Sequence, residues 1–315
     1  MGLLGSMECG STMITVLVLG ASGMLGHVVC QHLSTGWNID RYHVTGTVRE
    51  GCVTNGFIAM DDAITYSVMS GSTTLAGVLK YGKFDYVINC IGVVKPLIDE
   101  GSSSSIASAI RINSEFPHQL AVAASEAGVK VIQIATDCVF SGINGSPYTA
   151  TSRYSPTDIY GKTKLLGEVT NYLNFKNLRC SIIGPEFQPN RRSLWEWVNQ
   201  SNEPDIQGYS DHEWNGVTTL AFARICDGIM STRGLFDRLD PIEFVCPEDI
   251  VTKYDLVRMI RTACGRRDLA VARVTSPRSV SRVLCATTHN QDLWNAARYV
   301  QIPTIAELVF EMGKF

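Results

Sequence analysis

Tyr160 and Lys164 are the two residues of the sequence whose types and spacing most clearly offer chemistry. Residues four apart on a helix lie on one face, so a helix here would place a phenol beside an ammonium. The ammonium would stabilise the phenolate and lower the pKa of the phenol, which would allow proton exchange near neutral pH. Thr136 would add a hydroxyl from the end of the preceding apolar run. We therefore predict a catalytic group of Thr136, Tyr160 and Lys164.

A glycine-rich loop follows the first apolar run of the chain. Residues 20–26 read GASGMLG, directly after the run ITVLVL at 14–19. Glycines at a strand-to-helix turn let the backbone approach a pyrophosphate, which the helix N-terminus attracts. The spacing is GxxGxxG rather than the more familiar GxGxxG. We predict dinucleotide contacts from this loop, by Gly20, Ser22, Gly23, Met24, Leu25 and Gly26.

The end of the second apolar run bears on which dinucleotide is bound. An acid about 20 residues past the glycines normally holds the adenosine ribose. This chain instead has Thr47 there, followed by Arg49, which can pair with a 2′-phosphate. NADP(H) is therefore favoured over NAD(H), although Glu50 leaves NAD(H) open. Beyond the third run, Asp61 can meet the adenine amino group or simply cap a helix.

Apolar runs and helical patterns alternate along the first part of the chain. They predict strands at 14–19, 42–48, 57–60, 86–91, 129–135 and 178–183, and helices at 24–33, 112–127 and 159–173. The serine run at 102–105 is expected to be a loop. Such alternation predicts an α/β fold, a Rossmann-type doubly wound parallel sheet with a smaller substrate-binding lobe.

The domain prediction follows from where this alternation lies. Residues 13–184, with a return segment at about 217–254, are assigned to a dinucleotide-binding domain. Residues 185–216 and 255–315 are assigned to the substrate-binding lobe. Residues 1–12 are small and without pattern, and we expect a tag or disordered segment there.

The composition excludes several classes of protein. With 45% hydrophobic and 18% charged residues among 315, the chain resembles an ordinary globular protein rather than a disordered one. A formal net charge of -3 gives no reason to expect nucleic-acid or membrane binding. No two of the ten cysteines have the CxxC spacing of a zinc site. We predict no metal, and free thiols in a reducing, cytoplasmic compartment.

These motifs occur in the order found in extended short-chain dehydrogenases/reductases, and the chain resembles that family. Residues 136–142 (TDCVFSG), 146–149 (SPYT) and 160–168 (YGKTKLLGE) are similar to its dTDP-4-dehydrorhamnose reductase branch, as are 214–220 and 252–256. The resemblance implies cofactor contacts from Tyr160, Lys164 and the segment of Cys90, Ile91 and Gly92. It also implies NADPH-dependent reduction of the C4 keto group of a 4-keto-6-deoxy sugar nucleotide, in deoxysugar or surface-polysaccharide biosynthesis. A homodimer is left open.

Cys138 leaves a second activity open. Sugar-nucleotide dehydratases of the family have glutamate at this place, so Cys138 argues against water elimination. GDP-fucose synthases have a cysteine two residues after the catalytic hydroxyl, the spacing of Cys138 from Thr136, and use it as a proton donor or acceptor. A bifunctional 3,5-epimerase/4-reductase, with His212 as a second acid or base, is therefore an alternative. A non-catalytic NADP-binding regulatory subunit is another, because some relatives keep the fold without the reaction.

Further residues are candidates for binding the substrate or for supporting the site. Arg191 and Arg192 can grip a pyrophosphate, and Trp214 can stack on a nucleobase. Arg179 lies inside a predicted strand and is expected in a structural salt bridge, whereas Asn113 is expected to anchor the site through backbone bonds. The predicted substrate contacts are Lys95, Cys138, Val139, Phe140, Arg191, Arg192 and Trp214.

Overall fold

A computed structural model describes residues 13–315 except 53–55, 57, 59–61, 71–73, 144–145 and 190. Asp61 and all of the predicted strand 57–60 but Ile58 lie outside the described residues. The strands are β1 (Ile14–Leu19), β2 (Tyr42–Val48), β3 (Ala63–Thr65), β4 (Tyr86–Asn89), β5 (Lys130–Ala135), β6 (Phe175–Arg179), β7 (Ile182–Ile183), β8 (Asp205–Tyr209), β9 (His212–Trp214), β10 (Val217–Thr218), β11 (Ile242–Phe244), β12 (Val251–Thr252), β13 (Ala270–Val274) and β14 (Val280–Ser281).

The helices connect and cover these strands. They are α1 (Gly26–Leu33), α2 (Leu75–Gly82), α3 (Ser103–Ile110), α4 (Phe116–Ala127), α5 (Ile159–Leu166), α6 (Leu194–Gln200), α7 (Thr219–Ser231), α8 (Leu235–Arg238), α9 (Lys253–Ala263), α10 (Asn290–Ala296) and α11 (Ile305–Met312). Among the described helices, none combines the length and the apolar character needed to cross a membrane.

Seven strands form one large sheet in the order β11-β6-β5-β4-β1-β2-β3. Every neighbouring pair in it is parallel. Alternate residues of β1 face opposite sides of the sheet: Val16 and Val18 join one core cluster, while Leu17 and Leu19 join another. A strand covered on both faces must be apolar throughout, which explains its unbroken apolar run. The doubly wound parallel fold expected from the sequence is confirmed.

The strand order reverses next to β1. This strand pairs with β2 on one side and with β4 on the other. Sheets of this kind bind ligands in the crevice at such a switch point, outside the carboxyl ends of the strands. The loops after β1, β4 and β5 open on this edge, so the glycine loop, residues 90–97 and residues 136–140 come together there.

Three small sheets complete the described structure. They are β10-β7, β12-β9-β14 and β13-β8. Helix α9 packs against β8, β12 and β13, which places its first residue, Lys253, beside Trp214 of β9. A bridge between Tyr148 and Leu284 joins the segment after β5 to the C-terminal part of the chain. The domain boundaries given above stay predictions.

Several elements differ from the expectation. The loop predicted at 102–105 is wrong, because Ser102 caps α3 by accepting a hydrogen bond from the backbone of Ser105 at 3.4 Å. The helix predicted at 159–173 already ends at Leu166, after which the chain turns and brings Glu168 to Arg179. The strand predicted at 178–183 is two strands, since β6 ends at Arg179 and β7 pairs with β10 in another sheet.

Candidate active site

The glycine loop after β1 is pinned by the neighbouring strand. Gly20 has φ +79°, a left-handed conformation that favours glycine. Its backbone nitrogen donates to the Thr47 hydroxyl at 2.9 Å, and Ala21 donates to the Thr47 carbonyl at 2.9 Å. A Cβ on Gly26 would lie 2.2 Å from the Gly20 carbonyl oxygen, so only glycine lets α1 start this close to the loop. In the sequence, Thr47 stands out only because it replaces the usual acidic residue. In the structure it holds the glycine loop in place.

The N-terminus of α1 fits a phosphate. No side-chain cap bonds to its N-terminal backbone, whereas Thr74, Asp158 and Thr218 cap α2, α5 and α7. Unpaired N–H groups at a helix start attract anions. The close backbone approach at Gly26 and this uncapped start together fit the pyrophosphate of a dinucleotide. The residues that can hold it are those predicted, Gly20, Ser22, Gly23, Met24, Leu25 and Gly26.

The other predicted cofactor residues flank this loop. Arg49 is exposed directly after β2. Cys90, Ile91 and Gly92 follow β4, and Ile91 reaches the glycine loop, since its Cγ1 would be 3.0 Å from a Cβ built on Gly20. These positions surround one crevice at the sheet edge.

The predicted catalytic residues meet at the carboxyl end of β5. Thr136 follows β5, and its side chain hydrogen-bonds to that of Tyr160 on α5. Lys164, one turn further along α5, is buried and donates from Nζ to the Ile134 carbonyl oxygen at 2.8 Å. A Cβ on Gly161 would lie 2.2 Å from the Cys138 carbonyl oxygen, so a glycine here lets α5 pack close to the segment after β5. The three functional groups therefore share one edge of the sheet.

The pKa of Tyr160 moves opposite to the expectation. Burial raises it above the usual value of a phenol, and the nearby Cys138 and Asp137 raise it further, while the hydrogen bond from Thr136 lowers it. The prediction of a lowered phenol pKa is therefore wrong for this structure, since desolvation outweighs the favourable contacts. Burial also lowers the pKa of Lys164 to about 8, against an opposing effect of Glu168.

Cys138 lies partly exposed beside these groups. It is one of nine described cysteines, all with free thiols. Burial raises its pKa to about 12, and the charge of Asp137 adds to this. The group is therefore a thiol rather than a thiolate near neutral pH. Two cations that the sequence did not indicate, Lys253 and Arg282, lie close enough to affect Asp137.

The predicted substrate residues at the mouth of the crevice are already engaged. Lys95 pairs with Asp158 at 2.9 Å. Arg191 pairs with Glu196 at 3.3 Å, and Arg192 donates to a backbone carbonyl of the loop after β4 at 3.1 Å. These contacts tie the loop after β4, the start of α5 and the segment before α6 to one another.

Asn113 supports the same loop. Its side chain accepts a hydrogen bond from the Val93 nitrogen and donates to the Val93 carbonyl, both at 2.9 Å. It also donates to the Thr163 hydroxyl on α5 at 3.2 Å. The expected anchoring through backbone bonds is confirmed.

Three other predicted substrate residues have little accessible surface. Val139 and Phe140 are fully buried in the core, and Trp214 is 4% exposed. The Trp214 indole donates to the Ser181 hydroxyl at 2.7 Å. His212 contacts Ser276 at 2.9 Å, away from the group around Tyr160. Direct substrate contact by these side chains stays a prediction.

The salt bridge expected for Arg179 is confirmed. Its Nε and Nη2 donate to the two oxygens of Glu168 at 3.0 and 2.5 Å, and both side chains are buried. The guanidinium lies against the rings of Phe140, Tyr154 and Phe244. The pair therefore fixes the end of α5, which carries Lys164, to the core of the sheet.

A small polar cluster lies elsewhere, at Asp240, Glu243 and His289. Their ligand atoms fall within 4.8 Å of one another. Both Glu243 oxygens already have partners, however, because Oε1 contacts His289 at 2.7 Å and Oε2 accepts from Thr287 at 2.5 Å. These hydrogen bonds account for the cluster as a structural network rather than as a metal site.

Comparison with known proteins identifies the family. The model of the RmlD substrate binding domain matches residues 14–183, more than half of the chain. The chain is 30% identical over 154 residues to a dTDP-4-dehydrorhamnose reductase of Burkholderia thailandensis, with 49% of this chain and 44% of that protein covered. It therefore spans less than half the length of this curated reductase. It is also 27% identical to methionine adenosyltransferase 2 subunit beta of Pongo abelii, with 79% of this chain and 71% of that protein covered.

A solved structure shows the same fold over nearly the whole chain. The dTDP-4-dehydrorhamnose reductase of Bacillus anthracis, in complex with NADP, superposes with a TM-score of 0.69 at 16% identity, covering 95% of this chain and 98% of that one. The match to the family model confirms the resemblance drawn from the motifs, and the chain belongs to the RmlD substrate-binding-domain family.

Proposed function

We propose that the protein reduces the C4 keto group of a 4-keto-6-deoxy sugar nucleotide with NADPH, as in the synthesis of deoxysugars for surface polysaccharides. The observation that carries this proposal is the meeting of Thr136, Tyr160 and Lys164 beside the glycine loop at the switch point of the sheet. The named activity of the Burkholderia relative supports it.

The chain's own groups suit proton donation to a developing alkoxide. Bound NADPH supplies the hydride. The raised pKa keeps Tyr160 protonated at neutral pH, so its phenol can give a proton to the oxygen that becomes negative. Thr136 can donate a second hydrogen bond to that oxygen. Lys164, which holds a proton below its pKa of about 8, can bind the nicotinamide ribose and favour the phenolate that remains.

Arg49 is proposed to select NADPH. Its side chain is exposed directly after β2, the strand end that normally meets the adenosine ribose. The Bacillus anthracis structure contains NADP. Arg49→Ala should weaken NADPH binding about tenfold and leave NADH binding nearly unchanged, because a charged hydrogen bond to phosphate is lost. Fluorescence titration measures both constants, and Arg233→Ala, at an exposed position after α7, is the matched control. Equal weakening of NADPH binding and NADH binding would show that Arg49 does not recognise the 2′-phosphate.

A non-catalytic cofactor-binding subunit is the second candidate. The relative named as a subunit of methionine adenosyltransferase matches a larger share of this chain than the reductase does. The bifunctional epimerase is less supported, because Cys138 is a thiol with a pKa of about 12 and His212 bonds elsewhere.

One assay separates these functions. NADPH oxidation is followed at the absorbance of the reduced nicotinamide, with enzymatically made 4-keto-6-deoxy derivatives of dTDP-, UDP- and GDP-sugars. Oxidation with one of them supports the reductase. Tight NADPH binding without oxidation favours the subunit, and solvent deuterium at C3 or C5 of the product favours the epimerase-reductase.

A further inference from the structure

Two cations reach the candidate site from the C-terminal part of the chain, and the reaction proposed above uses neither. Lys253 is the first residue of α9, and its Nζ lies 5.0 Å from the centre of the Trp214 ring. Arg282 follows β14 and donates from Nε to the Phe140 carbonyl oxygen at 2.9 Å. Lys253 also interacts electrostatically with Asp137 and Cys138, so both cations approach the segment that follows β5.

Carboxylates near these two cations interact with them from a distance. Both cations act on the carboxylate of Asp137 and lower its pKa against the effect of burial. Its Oδ1 accepts a hydrogen bond from the Thr136 hydroxyl at 3.3 Å. Within the described part of the chain, neither Lys253 nor Arg282 has a carboxylate oxygen at ion-pair distance. Asp158, whose pKa Arg282 also lowers, is already paired with Lys95 at 2.9 Å. Neither cation therefore has a direct ion pair among the described residues.

The side chains around these two cations are partly accessible to solvent. Lys253, Arg282, Cys138 and Tyr160 each keep part of their surface exposed. Burial lowers the pKa of Lys253 to about 8, so its ammonium is poorly solvated. A desolvated cation without a counter-ion is unfavourable. An anion bound beside the ammonium would relieve this cost.

The other cations near the crevice already have partners. Lys95 pairs with Asp158, and Arg191 pairs with Glu196. Lys164 donates to a backbone carbonyl of β5, and Arg192 donates to one of the loop after β4. Within the described part of the chain, Lys253 has no hydrogen bond or ion pair, and Arg282 uses only its Nε, in the bond to the Phe140 carbonyl. Their remaining N–H groups are therefore better placed to receive an anion than the paired Lys95 and Arg191.

We propose that Lys253 and Arg282 form an anion-binding subsite for the substrate, beside Thr136 and Tyr160. The inference rests on the proposed function, because a nucleotide sugar supplies the anion. A 4-keto-6-deoxy sugar ring is itself uncharged. In the proposed substrate the anionic oxygens therefore come from the diphosphate of the nucleotide, whereas a carboxylate on the sugar would require a substrate other than a 6-deoxy sugar.

The test is ligand binding to the full chain, without turnover. Calorimetry, with tryptophan fluorescence as a second readout near Trp214, measures the affinity for dTDP, UDP, UDP-glucose and UDP-glucuronic acid. The variants are Lys253→Met, which removes the charge, and Lys253→Arg, which keeps it. Lys162→Met, at an exposed position on α5, is the matched control. A thermal melt shows whether each variant is folded.

The two sources of the anion give different results. If the diphosphate binds here, Lys253→Met weakens dTDP or UDP about tenfold, whereas Lys253→Arg retains most of the affinity. If a sugar carboxylate binds here, dTDP and UDP are unaffected and any preference for UDP-glucuronic acid over UDP-glucose is lost. Unchanged binding of every probe in a folded Lys253→Met variant overturns the subsite alone. A wild-type protein that binds no nucleotide overturns the proposed function as well.

A pH series gives a second readout that does not depend on the methionine variant. Lys253 faces Asp137, Cys138 and Arg282, and it loses its charge as the pH rises through about 8. Wild-type affinity for the anion should therefore fall above this pH. Lys253→Arg should remove that fall, which separates it from the titration of Lys164. A flat wild-type profile contradicts the proposal.

Discussion

Tyr160→Phe should lower kcat by about 10²–10⁴-fold and leave the affinity for NADPH nearly unchanged. The phenol is held beside Thr136 at the edge of the sheet, and burial keeps it protonated. Removing one oxygen takes away the proton donor but preserves the ring, its packing and the glycine loop. Steady-state kinetics and a fluorescence titration of NADPH measure the two quantities.

Tyr209→Phe provides the control for this substitution. Tyr209 is an exposed tyrosine at the end of β8, so loss of its hydroxyl should leave kcat unchanged. If Tyr160→Phe turned over as fast as the wild type, Tyr160 would not be the proton donor. Equal losses in both variants would point to a general effect on folding instead.

Glu168→Leu should be the most destabilising of the substitutions considered, costing about 3–5 kcal/mol of the free energy of unfolding. Arg179 is fully buried, and Glu168 accepts hydrogen bonds from its Nε and Nη2. Without that carboxylate the guanidinium stays buried with no counter-ion. Urea unfolding followed by circular dichroism gives the change.

A double variant shows whether the unpaired charge is the cause. Glu168→Leu combined with Arg179→Met should recover much of the lost stability, because both charges then leave the core. Asp237→Asn breaks the exposed pair with Lys130 and should cost far less. A double variant no more stable than Glu168→Leu would show that packing, rather than the unpaired charge, accounts for the loss.

The parallel sheet and the glycine loop were predictable because each leaves a local pattern. Strand β1 is covered on both faces and is therefore apolar throughout, and Gly26 is required where α1 nearly touches the Gly20 carbonyl. Element ends were less predictable. Ser102–Ser105 forms a helix start, since a serine cap and a serine turn look alike in a sequence.

The meeting of Thr136, Tyr160 and Lys164 at the candidate site was predictable, but the environment of these residues was not. Spacing alone puts Tyr160 and Lys164 on one helix face, yet the raised pKa of Tyr160 depends on how deeply that face is buried. Lys253 and Arg282 lie more than a hundred residues along the chain from Asp137, whose pKa they lower. Only the folded structure brings such distant groups together. Lys253 falls in the segment 252–256 that resembles the family, but nothing in that segment indicated a role for it.

Hydride transfer itself tests the central claim most directly. The protein is incubated with a 4-keto-6-deoxy sugar nucleotide and NADPH that carries deuterium at both hydrogen positions of the nicotinamide C4. The sugar product is examined by NMR and mass spectrometry. We predict one deuterium at C4 of the sugar and one equivalent of NADP formed. Unlabelled keto sugar recovered alongside tightly bound, unoxidised NADPH would contradict the account.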